Sequence, residues 1–119
     1  MGILSRTKGK VGEREVADLL KRNGYEARRG VQFQGGAGSP YVVHNMAVFH
    51  IEVKRTERLA LWDALKQANA DKGPKEHALI FHRANGKPWV IIMDAEAFLR
   101  DVAPLPEEEV ILHDPERTE

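Results

Sequence analysis

The sequence predicts a mixed α/β domain, with a mixed central β-sheet flanked by helices. Three observations predict it. Val16, Ala17, Leu19 and Leu20 recur at the spacing of one helix face. Val48–Lys54 alternates apolar and polar side chains, as a half-buried strand does. Two short apolar runs, Ala78–His82 and Trp89–Met93, flank Asn85-Gly86, the residue pair of a tight hairpin turn. The order is helix, strands, helix, strands, helix, which suits a layered α/β fold.

The elements follow in order. A helix is expected over 10–23, with Gly24 as its C-terminal stop. A short strand over 25–28 comes next. Residues 35–40, GGAGSP, read as a loop without periodicity. Strands are expected over 41–43 and 48–54, with a turn at 44–47. A second helix is expected over 59–72, since Leu61, Leu65 and Ala68 lie four and three residues apart and Gly73-Pro74 ends the run. Asp94 is placed to cap a last helix through Arg100. The tail, 101–119, is acidic and interrupted by proline, with an apolar patch at Val110–Leu112. There is no internal repeat, so one domain is expected over 1–119, with its core in 8–99.

Composition narrows the function. The chain has 119 residues, enough for one modest core. Apolar residues are 42% and charged residues 30%, ordinary for a globular protein. No apolar run approaches the roughly 20 residues of a membrane span, and MGILSRTKGK lacks an apolar signal core. A cytoplasmic location and no membrane partner are therefore expected. Cysteine is absent, which excludes disulfides and thiolate metal ligands. Net charge is zero but unevenly spread: residues 1–58 carry +5 and residues 59–119 carry −5. A basic half beside an acidic half is the footprint of a phosphate-binding face.

The chemistry-bearing residues start in VFHIEVK. Side chains alternate along a strand, so Phe49, Ile51 and Val53 share one face and His50, Glu52 and Lys54 the other. A carboxylate beside an ammonium is the pair phosphodiester hydrolysis needs. The carboxylate can hold a hard cation, and the lysine can orient water or neutralise phosphoryl oxygens. A solvated surface ion pair has the same pattern. Glu13 precedes Val16, Ala17 and Leu20 at helical spacing, so it lies on or beside the apolar stripe and needs a partner there. Arg6, Lys8, Lys10, Arg14, Arg28, Arg29 and Arg55 are candidates for DNA phosphates. His44, His50, His77, His82 and His113 show no zinc-type spacing and read as structural.

Together these pieces resemble the PD-(D/E)xK nuclease superfamily, and more narrowly the archaeal-type Holliday junction resolvases and their phage relatives. The resemblance rests on K-G-x-x-G-E-R-E at Lys8–Glu15, Gly38-Ser39-Pro40, Ile51-Glu52-Val53-Lys54, and Gln67 in the second helix. It implies a restriction-endonuclease-like core and a Mg²⁺-dependent endonuclease, with Mn²⁺ able to substitute, that cuts four-way DNA junctions. Glu13 and Glu52 would be metal ligands with the Val53 carbonyl beside them. Lys54 would be the catalytic lysine, Ser39 would lie near the scissile phosphate, and Gln67 would help position the site. A homodimer bound to branched DNA is implied, and the host cytoplasm if the chain is phage-encoded.

One position departs from the pattern. The family has Pro-Asp where this chain reads Pro40-Tyr41. A neutral phenol is a poor Mg²⁺ ligand. Tyr41 in the place of a metal-binding aspartate implies an impaired enzyme. A branched-DNA-binding module that no longer cuts, or a nuclease of the same fold for other DNA structures, are the alternatives.

Overall fold

The computed structural model describes residues 3–34, 37–109 and 112–116, with side chains described for 9–30, 41–109, and 112–116. The expected site residues Arg6, Lys8 and Ser39 therefore have side chains outside the described residues, and Val110 and Ile111 of the tail patch lie outside them entirely.

Helix α1 runs Ile3–Arg22, starting earlier than its apolar stripe suggested. It ends where the sequence placed the stop. Gly24 has φ +93°, and the N–H groups of Gly24 and Tyr25 donate to the carbonyls of Lys21 (3.1 Å) and Leu20 (3.0 Å). This is the paired closure that a glycine in the left-handed region makes possible.

Strands β1 (Ala27–Gln34) and β2 (Ala37–His44) form an antiparallel hairpin. Here the expectation of a loop over 35–40 is corrected for 37–40; residues 35–36 lie outside the described residues. Residues 37–40 pair with 31–34 and extend the strand. Cross-strand pairing overrides the poor strand propensity of glycine and proline, which a local reading weighs too heavily. The expected short strand over 25–28 is likewise longer and begins at Ala27.

Strands β3 (Phe49–Arg55), β4 (His77–Arg83) and β5 (Val90–Ile92) form a second, mixed sheet. β3 and β4 are parallel and are joined through helix α2 (Leu61–Asp71), the kind of crossover that parallel strands require. β4 and β5 are antiparallel and joined at Asn85-Gly86, with Gly86 at φ +70°. The sequence predicted one central sheet. The described residues instead form a two-stranded and a three-stranded sheet, with β2 next to β3 but not hydrogen-bonded to it.

Each sheet face has its own core. Val16, Ala17 and Leu20 of α1 pack with Val42, Ile51, Leu79 and Phe81, and Phe49 and Val53 lie against them. On the other face Ala64 and Ala68 of α2 pack with Ala78 and Ile80. The molecule is thus a mixed α/β domain with helices on both faces of the three-stranded sheet. The last helix reaches past Arg100, as far as Val102, but only its first turn is α. Asp94 caps it, accepting from the Ala97 N–H at 2.8 Å. One α turn, Ala95–Ala97, then gives way to a wider π turn, Phe98–Val102, closed by the Ala103 N–H donating to the Phe98 carbonyl at 2.7 Å.

α1 lies close against β3 at Gly12. A Cβ there would stand 2.9 Å from the Arg55 Cβ and 3.2 Å from Val53 Cγ1. Replacing Gly12 with valine should therefore force the helix off the strand, at a cost of about 2 kcal/mol from overpacking. A lower urea midpoint for Gly12→Val measures this; an unchanged midpoint would mean the helix and strand are not in contact there.

Candidate functional site

β3 carries the centre of the site. Its register with β4 sets His50 opposite Ala78, Glu52 opposite Ile80 and Lys54 opposite His82. Paired residues on adjacent strands share a face. Ala78 and Ile80 lie under α2, so His50, Glu52 and Lys54 are on the α2 face. Phe49, Ile51 and Val53 point to α1, as alternation requires.

His50 and Glu52 are joined directly. Nε2 of the imidazole is 2.9 Å from Glu52 Oε1, and both side chains are mostly buried. Asp71, at the last position of α2, approaches from the helix. The ligand atoms of His50, Glu52 and Asp71 lie within 4.8 Å of one another, and they are the one such group of three among the described residues. Sequence reading grouped His50 with the structural histidines. The H-x-E spacing on a strand was the signal that could have found it. Nothing local pointed to Asp71, because its approach depends on how α2 crosses the sheet.

Glu13 is buried at 7% exposure, and it is the buried charged residue of the described core. Its neighbours Val16 and Ala17 pack against the α1 face, so it lies on the opposite side of β3 from Glu52. Arg29 of β1 meets it, Nε to Oε1, at 3.4 Å. Burial holds the Glu13 carboxyl above the ordinary range. Arg29 pulls it down, and the charge on Glu52 adds a smaller upward push. Glu13 and Glu52 are thus near enough to feel each other's charge, but Glu13 is engaged by a guanidinium.

Tyr41 pairs with Gly30 in the hairpin. It alternates with Val42, which is buried against the α1 core, so Tyr41 lies on the same side as Glu52. Its ring turns toward β1: a Cβ on Gly30 would come within 2.9 Å of Tyr41 Cζ. Gln67 is exposed, one helical turn before Asp71, with Ala64 and Ala68 instead taking the buried positions. Lys54 is half-buried on the Glu52 face.

Of the basic residues with described side chains, Lys10, Arg14 and Arg28 are exposed. Two others are committed within the fold. Arg29 pairs with Glu13, and Arg55 donates to the Arg83 carbonyl at 3.3 Å and to Asn85 Oδ1 at 2.8 Å. His44 and His82 act structurally. The Met46 N–H donates to His44 Nδ1 at 3.1 Å, and His82 Nε2 lies 2.9 Å from the Thr56 carbonyl.

The donor sets can be judged against a divalent cation. Glu52 fits. Glu13 does not, because its oxygen already accepts from Arg29 and burial disfavours its charge. Comparison with protein-family models, with curated proteins and with solved structures gives no match to this chain.

The raised Glu13 pKa has a consequence for stability. A carboxyl whose folded pKa lies above its unfolded value stabilises the fold most at low pH. That contribution is lost as pH rises through the folded pKa. Glu13→Gln, which still offers Arg29 an acceptor, removes the dependence. Thermal melts across pH should show the variant gaining stability on wild type from pH 4 to pH 8, with the difference smallest at the acid end.

Proposed function

We propose that this chain is a metal-dependent DNA endonuclease of the Holliday junction resolvase type, impaired by the tyrosine at position 41. The observation that carries the reading is that Glu52 and Lys54, two residues apart on β3, share one face of the strand. Helices on both faces of a mixed sheet are compatible with a restriction-endonuclease-like core.

Glu52 would hold the cation. A divalent cation there supplies positive charge to the phosphoryl oxygens. The remaining roles belong to the chain. Lys54 is placed beside Glu52, where its ammonium can donate to a non-bridging phosphate oxygen and orient the attacking water. Lys10, Arg14 and Arg28 are exposed and can bind flanking phosphates. Arg29 instead fixes the hairpin to α1, through Glu13.

The second reading, a branched-DNA-binding module that no longer cuts, is favoured by Tyr41. A neutral ring occupies the face that an aspartate would need, and it packs over Gly30 rather than toward Glu52. The two readings part in one assay. On a four-way junction with Mg²⁺ or Mn²⁺, Tyr41→Asp should cut at least about tenfold faster than wild type, as expected when a missing electrostatic group is restored. Lys54→Ala in that background should abolish the gain. If neither protein cuts but both prefer the junction to linear duplex over a salt series, the binding module is the correct reading.

A symmetric homodimer is part of this proposal, since two cuts in a four-way junction call for two sites. Tyr25, Ile91, Phe98, Leu99 and Val102 leave an exposed apolar face around a groove of about 1080 Å³. Such a face commonly marks an interaction site. Light scattering at micromolar concentration should give the mass of two chains, and Leu99→Glu should give one.

A further inference from the structure

We propose that the chain binds its divalent cation through His50, Glu52 and Asp71, a nitrogen-and-oxygen site that prefers Mn²⁺ to Mg²⁺. This shares Glu52 with the nuclease reading and otherwise rests on the geometry of β3 and α2.

Three features carry it. First, the distances suit a metal. His50 Nε2 and Glu52 Oε1 are 2.9 Å apart. Neighbouring ligands of a six-coordinate cation with bonds near 2.1 Å stand about 3 Å apart, so an ion that displaced the proton shared in this hydrogen bond would find the two atoms at a ligand separation. Asp71 brings the third ligand atom within 4.8 Å of both. The His50 and Glu52 side chains are three-quarters or more buried on a rigid strand, and Asp71 is exposed at a helix end, free to close on the ion.

Second, the charges are arranged for a cation. Two carboxylates are brought together at the C-terminal end of α2, where the helix dipole is itself negative and the last turn has no basic residue. Lys54 and Lys72 are nearby in sequence. Among the described residues, neither they nor any arginine forms an ion pair with Glu52 or Asp71. Like charges in such proximity repel unless a positive charge sits between them.

Third, the alternative set is occupied. Glu13 is held by Arg29 and Tyr41 is turned over Gly30, so neither is available to complete a shell around Glu52. Asp71 supplies a second carboxylate from α2. An imidazole in the shell selects for metals that accept nitrogen, which moves preference from Mg²⁺ toward Mn²⁺.

The test reads binding on the full-length chain without DNA. Calorimetric titration with Mn²⁺ should give one ion per chain and tighter binding than with Mg²⁺. His50→Gln and Asp71→Asn should each weaken Mn²⁺ by at least about tenfold, while Glu13→Gln changes it by less than about twofold. Asp71 is exposed, so Asp71→Asn should keep the wild-type melting temperature. Pulsed electron paramagnetic resonance of the bound Mn²⁺ should show coupling to an imidazole nitrogen, lost in His50→Gln. No binding at millimolar Mn²⁺, unchanged binding in Asp71→Asn, or no nitrogen coupling overturns the proposal. Failure of the junction assay leaves this site standing, and failure of the Mn²⁺ titration does not decide whether DNA is cut.

Discussion

The close contact of α1 with β3 at Gly12 is the constraint on which the rest depends. Interiors are packed densely enough that a single added methyl is felt. With no side chain at residue 12, the helix can lie directly over Val53 and Arg55. The next residue, Glu13, is then carried into the seam between the sheets, where Arg29 of β1 reaches it. α1 touches β1, β2 and β3, so this one helix joins the hairpin to the three-stranded sheet that β2 does not hydrogen-bond.

That arrangement separates two carboxylates that a sequence motif would group together. Glu13 lies on the α1 face, buried and answered by a guanidinium. Glu52 lies on the α2 face, less buried and answered by an imidazole. A buried charge with one specific partner is costly to release, since removing the partner leaves it unsolvated. Glu13 is therefore better suited to fixing the hairpin than to exchanging ligands. Glu52, with His50 beside it and Asp71 at the helix end, is the more exposed of the two, at 20% against 9% for the side chains.

Position 41 shows how a single side chain can depend on a glycine across the sheet. Gly30 leaves the space into which the Tyr41 ring turns. An aromatic ring over a cross-strand glycine covers backbone that would otherwise be exposed. The hairpin thus gains packing from a neutral ring at this position.

Much of the local structure was legible. The Gly24 stop, the Asn85-Gly86 hairpin, the Asp94 cap and the two faces of β3 all follow from rules that act over a few residues, and the structure has each of them. The inward position of Glu13 was legible too, because a helix face is a local property. The loop reading of 37–40 failed because strand pairing is a contact between distant segments, and glycine and proline signals do not contain it. The division of the sheet between β2 and β3 failed to show for the same reason. The partners of the acidic residues were also beyond the sequence. Arg29 reaches Glu13 through the hairpin register, and Asp71 reaches Glu52 through the crossover of α2. By itself the sequence determined which residues share a face, since the strand and helix repeats are set by backbone geometry. Only the tertiary structure decided which faces meet, since that depends on how closely the helices pack on the sheet.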